Sequence, residues 1–175
     1  MEQKGFTVWF TGHPCSGKSS IADAVAQKLK ERGLKVERLD GDTVRKSLSK
    51  DLGFSEKDRY THIERVTFVA KLLTRNKVAV VASFISPYRE MRASARKEIG
   101  DFVEVYVKCP LKVCMERDGK ELYKKAIAGE IKNFTGISHP YEAPESPEIV
   151  LETDNESVKE CAEKVIQKLE ELMYI

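Results

Sequence analysis

The stretch GHPCSGKS, residues 12–19, constrains this 175-residue chain more than any other, because of what stands on either side of it. FTVWFT (6–11) precedes it, a short run rich in β-formers, and Ile21, Ala24, Val25 and Leu29 follow it at helical spacing. Strand, glycine-bounded loop and helix in that order, with Gly12, four residues, then Gly17-Lys18-Ser19, make the complete phosphate-binding P-loop pattern. Glycines let backbone N–H groups turn inward around phosphate oxygens, and the helix N-terminus adds partial positive charge. Lys18 is placed to reach the terminal phosphates and Ser19 to offer a hydroxyl to Mg²⁺. His13, Pro14, Cys15 and Ser16 fill the loop's middle, where backbone does the binding, so the expected nucleotide set runs from Gly12 to Ser20. A glycine turn or a lone lysine is an ordinary surface feature; spacing and context together make this one a nucleoside triphosphate site.

The rest of the chain repeats the alternation. Gly33 is a fitting residue to end the first helix, and KVERLD supplies a second strand. A polar region from Gly41 to about Lys77 holds a capping-box signature at Ser55–Asp58, opening a helix to Leu73 or Thr74. VAVVASFI is nearly continuous apolar sequence, as a parallel strand covered on both faces should be. A helix over 87–99, the strand FVEVYVK, a helix opened by Pro110 and the strand EIVLET follow. In the last helix Val158, Cys161, Ala162, Val165, Ile166 and Leu169 form one apolar stripe, entered through a box at Thr153 and Glu156. Such alternation predicts a three-layer α/β/α P-loop fold with a five-stranded parallel sheet and right-handed crossovers. The expectation is one domain over residues 1–175. Residues 117–147, rich in Lys, Gly and Pro and too polar for a core element, read as a mobile lid.

Lys and Arg number 30 against 28 Asp and Glu, a net charge of +2, so no overall field recruits nucleic acid or a membrane surface. Cys15, Cys109, Cys114 and Cys161 show no paired C-x-x-C spacing and read as reduced thiols. MEQKGF leads into a strand too short for a signal segment or a spanning helix, and a cytoplasmic protein is expected.

Triphosphate binding serves kinases, GTP switches and nucleic-acid-dependent ATPases alike. A switch should carry D-x-x-G and N-K-x-D; NKVA at 76–79 has alanine in the last place, so the guanine-reading carboxylate is missing. The balanced charge argues against a nucleic-acid-dependent ATPase. A small-molecule kinase is left.

Five further blocks appear in order behind the loop: LDGDTVRKSL (39–48), DLGFSEKDR (51–59), SFISPYRE (83–90), LYKKAIAGEIKNFTGI (122–137) and PYEAP (140–144). Over about residues 5–153 the chain resembles adenylylsulfate kinase (APS kinase). The resemblance implies transfer of the γ-phosphoryl group of ATP, with Mg²⁺, to the 3′-hydroxyl of adenosine 5′-phosphosulfate, and a homodimer. It implies that Phe54 and Phe134 sandwich the acceptor's adenine, that Arg45 and Arg59 meet its phosphosulfate, and that His62, Ile85, Ser86 and Lys124 line its site. Neither phenylalanine has an apolar periodic neighbourhood to pack into, which favours stacking over core packing. Asp42, in a turn after the second strand, is the catalytic candidate and a metal ligand with Ser19; it orients the hydroxyl and accepts its proton late. Asp40 reads instead as a structural turn residue. Lys18, and a lid cation among Arg117, Lys120 and Lys124, would meet transition-state charge, Arg117 being placed with the nucleotide. The competing readings are a kinase for another small hydroxyl compound or nucleoside monophosphate, and a non-catalytic nucleotide-binding regulator.

Ser86 carries two readings. The family pattern makes this serine a phosphoserine intermediate, whereas Ser86-Pro87 alone reads as a helix N-cap followed by proline at the first helical position. No base adjacent in sequence activates the hydroxyl, so the cap is preferred. Of Arg89, Arg92 and Arg96, which share a helix face, Arg89 is expected to reach the site. Thr43, His62 and Ser138 depart from the family pattern, with asparagine usual at the first two positions and aspartate at the third. A histidine beside the phosphosulfate would strengthen acceptor binding as the pH falls through about 6.5.

Overall fold

The computed structural model describes residues 2–175. Strand β1 (Phe6–Thr11) is buried along its whole length and lies at the centre of a parallel sheet ordered β2-β3-β1-β4-β5. Its neighbours are β3 (Ala79–Ser83) and β4 (Phe102–Lys108); β2 (Val36–Asp40) and β5 (Ile149–Glu152) form the edges. Because side chains alternate across a strand, Phe6, Val8 and Phe10 face one layer and Trp9 the other. The first layer is α1 (Lys18–Glu31) and α7 (Val158–Glu171), which bury Ile21, Val25 and Leu29 and Cys161, Val165 and Leu169. The second is α3 (Glu56–Arg75) and α4 (Arg89–Ile99), packed through Ile63, Val66, Ala70, Met91 and Ala95. With β2 and β3 on one side of β1 and β4 and β5 on the other, loops diverge at the strands' C-terminal ends, where an open α/β sheet keeps its ligand crevice.

Four local expectations need correction. Residues 41–46 form a short helix, α2 (Gly41–Lys46), so Asp42 stands in a first helical turn rather than a plain turn; six residues burying only Val44 leave no periodic signal. Ser86 is not a helix cap: α4 starts at Arg89 with Tyr88 at the N-cap, and Ser86 has φ 40°, in the left-handed region. The last helix is entered through a box at Ser157 and Glu160, while Thr153 stays at the end of the sheet and Val158 is 43% exposed. At Ser55 only half the box forms: its hydroxyl accepts from Asp58 N, but Asp58 Oδ2 takes the N–H of Gly53 at 2.9 Å.

The segment 117–147 is less irregular than its polarity suggested. It follows α5 (Leu111–Glu116) and contains α6 (Leu122–Ile127), whose Tyr123 and Ala126 are buried. Tyr123 joins Cys109 and Cys114 in a third apolar cluster, and its hydroxyl donates to Pro14 O at 2.6 Å, tying the segment to the P-loop.

Candidate active site

The P-loop leaves β1 at Gly12, where an added Cβ would come 2.6 Å from Val107 O, and enters α1 through Gly17 at φ 102°. Glycine is required at the first by close approach and at the second by its backbone conformation. Lys18 is buried, and its Nζ donates to His13 O at 2.6 Å and to Ser16 Oγ at 3.4 Å. Burial holds the ammonium well below its usual range, at about 8. Thr153 supports the loop from β5, its hydroxyl donating to Ser16 O at 2.7 Å.

Ser19 Oγ donates to Asp40 Oδ1 at 2.9 Å. Asp40 also accepts from Ser83 Oγ, from Arg38 and, as N-cap of α2, from Asp42 N at 3.1 Å. Burial alone would raise this carboxyl; the hydroxyls of Ser83 and Ser19 and the Arg38 guanidinium outweigh it and hold it below the usual carboxylate range. Asp42, two residues on, is exposed, and its carboxylate has no hydrogen-bond partner among the described residues. Asp40 is the organiser and Asp42 the free group.

Both aspartates, with Pro14, Cys15, Lys18 and Ser19, border a cavity of about 730 Å³. The same cavity is lined by Arg45, Phe54, Arg59, His62, Ile85, Ser86 and Phe134. Arg45 lies over the ring of Phe54 at 4.2 Å and donates to Gly53 O, while Arg59 donates to Phe54 O and Asn133 O. Phe54 is 52% exposed and Phe134 is half-buried, edge-on to Tyr123 at 4.9 Å. Phe134 therefore does have an apolar neighbourhood, the third cluster, which the sequence hid because Tyr123 sits in a lysine-rich helix.

His62 is buried, not solvated, and its Nδ1 lies 2.8 Å from Ser49 Oγ. Burial first, then the charges of Arg45, Arg59 and Arg65, hold its pKa down to about 4. The ring of the ligand-free protein is therefore neutral at about pH 6.5, and charge on His62 is not available there to attract the acceptor.

Ser86 Oγ accepts from Trp9 Nε1 at 3.0 Å and donates to Phe84 O at 3.2 Å. Both hydroxyl functions are committed to the loop, and no base touches it. Of the three arginines, Arg92 and not Arg89 approaches this loop. Arg92 is buried and donates to Ser86 O and Glu142 O, with Glu104 3.4 Å from its Nε. Arg89 is exposed and donates to Ala143 O. Its reach was misjudged because the segment 142–145 that captures it is distant in sequence.

Arg117 and Lys124 lie outside the cavity. Arg117 holds Thr153 O beyond the P-loop, and Lys124 is exposed near Glu121; of the three lid cations only Lys120 borders the space. Gly12, His13, Ser16, Gly17 and Ser20 do not border it either, and the His13 ring packs tilted against Tyr141 with centroids 4.7 Å apart. Sequence reading missed Asp118 and residues 131–133, which line the cavity from the lid segment, and Ser49 behind His62. Asp118, Lys132, Asn133 and Ser49 are ordinary polar residues and Ile131 a lone apolar one, so none gave a signal apart from its neighbours in space.

A P-loop beneath a five-stranded parallel sheet, opening into a cavity that also holds a free carboxylate, arginines and aromatic faces, defines a small-molecule phosphotransferase of the P-loop class. The family model for adenylylsulphate kinase matches residues 4–152. An adenylyl-sulfate kinase of Halothermothrix orenii is 58% identical over 99% of this chain and 94% of its own length. The Mycobacterium tuberculosis APS kinase in complex with AMPPNP and APS superposes with a TM-score of 0.92 at 46% identity, over 96% of this chain and 99% of that one. A hexameric APS kinase from Thiobacillus denitrificans matches with a TM-score of 0.77 at 34% identity, over 99% of this chain but 30% of its own. The chain belongs to the adenylylsulfate kinase family.

Proposed function

We propose that this enzyme transfers the γ-phosphoryl group of ATP to the 3′-hydroxyl of adenosine 5′-phosphosulfate, giving 3′-phosphoadenosine 5′-phosphosulfate (PAPS) and ADP. The observation that carries the residue assignments is the meeting, around one cavity, of Lys18 and Ser19 with Asp42 and with Arg45, Phe54, Arg59 and Phe134. The loop N–H groups hold the phosphates, and Lys18 exchanges His13 O for a phosphate oxygen. Asp42 orients the 3′-hydroxyl and takes its proton as the new O–P bond forms and the bond to ADP breaks; a loose transition state asks for that proton late. Arg45 and Arg59 face the phosphosulfate, and Phe54 and Phe134 offer faces to the adenine.

Hard oxygens suit Mg²⁺. The Ser19 proton points to Asp40, which leaves the hydroxyl's lone pairs for a cation, with Asp42 the second donor. When bound, Mg²⁺ neutralises phosphate charge. Ser86 positions the loop in this scheme, and transfer is direct.

The testing experiment is ADP formation from Mg·ATP with adenosine 5′-phosphosulfate, beside AMP, adenosine and no acceptor, with PAPS identified by mass. Turnover only with the phosphosulfate supports the reading; turnover with AMP replaces it with a nucleoside monophosphate kinase, and none with a binding protein. A homodimer is the expected assembly, which sedimentation measures, with a larger oligomer such as that of the hexameric relative as the competing outcome. No helix among the described residues is long and apolar enough to cross a membrane.

A further inference from the structure

His62 and Ser49 are joined by a contact that the phosphotransfer scheme does not use. Ser49 is 1% exposed, so its O–H has no water to bond and must find an acceptor in the protein. Among the described residues the only partner of its hydroxyl is His62 Nδ1, at 2.8 Å. A ring nitrogen that accepts carries no proton, so the proton of the neutral imidazole must sit on Nε2. His62 borders the cavity and its ring rests edge-on against Phe84, at 5.5 Å and 65°, which limits rotation. With Nδ1 engaged, Nε2 is the ring atom left to meet a ligand.

We infer that Ser49 is a positioning residue that fixes the His62 ring with its proton on Nε2, as a hydrogen-bond donor toward the acceptor substrate. The inference rests on the acceptor reading given above. Arg45 and Arg59 already surround the place with positive charge, and a second histidine proton would add to it. A single uncharged N–H instead adds direction: it requires an anionic oxygen or a ring nitrogen on the ligand at one point. Ser49 itself touches nothing in the cavity and acts only through the ring.

The test combines nitrogen NMR of the substrate-free protein with steady-state kinetics. ¹⁵N shifts of His62 should report one tautomer, protonated on Nε2, in the wild type. In Ser49→Ala the shifts should move toward a mixture, and the KM for adenosine 5′-phosphosulfate should rise roughly three- to tenfold, as loss of one oriented hydrogen bond implies, with the Kd of ATP unmoved. Ser49→Thr keeps the hydroxyl and should restore the wild-type shifts. A wild-type ring protonated on Nδ1, or a Ser49→Ala protein with unchanged shifts, would overturn the inference. The spectra need no substrate, so they answer independently of whether the phosphosulfate is the acceptor; unchanged KM with altered shifts would refute the role toward substrate while leaving the tautomer established.

Discussion

Asp40 and Asp42 are separated by one glycine, yet their carboxylates meet different surroundings. Asp40 is filled by two hydroxyls, a guanidinium and a backbone N–H, and Asp42 by none among the described residues. Asp42→Asn should therefore lower kcat on the order of 10²-fold or more, the usual worth of a positioned proton acceptor, with ATP Kd unchanged by calorimetry. Lys18 gives a pH dependence of defined sign. Its pKa is about 8 in the free enzyme, phosphate raises it, and binding above pH 8 must take up a proton. ATP Kd should be flat below pH 8 and weaken above it by up to about tenfold per pH unit, measured by titration calorimetry. Ser86→Ala should cost about 1–3 kcal/mol of stability in denaturant melts, because Trp9 Nε1 loses its acceptor. Its kcat should fall by less than about tenfold, since one neutral hydrogen bond is at stake; a loss of several orders of magnitude would restore the covalent route.

At the scale of elements, α4 is fastened to the loop before it and to segment 140–145 by Arg92, which reaches Ser86 O, Glu142 O and Glu104. Arg92→Met should strand Glu104 on β4 and cost about 3–5 kcal/mol of unfolding free energy, as removal of one partner from a buried ion pair does. The same region shows what the sequence could disclose. The central strands were readable because a parallel strand covered on both faces is nearly continuous apolar sequence, as 78–85 is apart from Ser83. Caps were readable only where local pairing decides them. S/T-x-x-E stands at both Thr153 and Ser157, and the P-loop and β4 claim Thr153 through Ser16 O and Lys108 O, so the box forms at the second. Ser86-Pro87 has the letters of a helix start, but Trp9 comes from another strand to take the hydroxyl, and no local rule anticipates that.

Across the whole molecule, the P-loop and the block holding Asp42 are contiguous stretches and were legible as motifs, whereas the cavity wall formed by Asp118 and residues 131–135 exists only through folding of the 117–147 segment over the loop. Tyr123 and Phe134 anchor that segment, while Lys120, Glu121 and Lys132 are exposed. Limited proteolysis within 117–133 should slow several-fold when ATP and adenosine 5′-phosphosulfate are both present; equal cleavage rates would mean that the wall does not respond to substrate. The chain has one tryptophan, Trp9, fully buried on the central strand and hydrogen-bonded to the Ser86 loop. The ultraviolet emission of the entire protein under tryptophan-selective excitation therefore originates at a single indole beside the Ser86 loop. That makes the molecule its own unlabelled optical sensor: a shift in intensity or colour on adding acceptor reports that loop alone, and can be followed in a stopped flow without altering a residue.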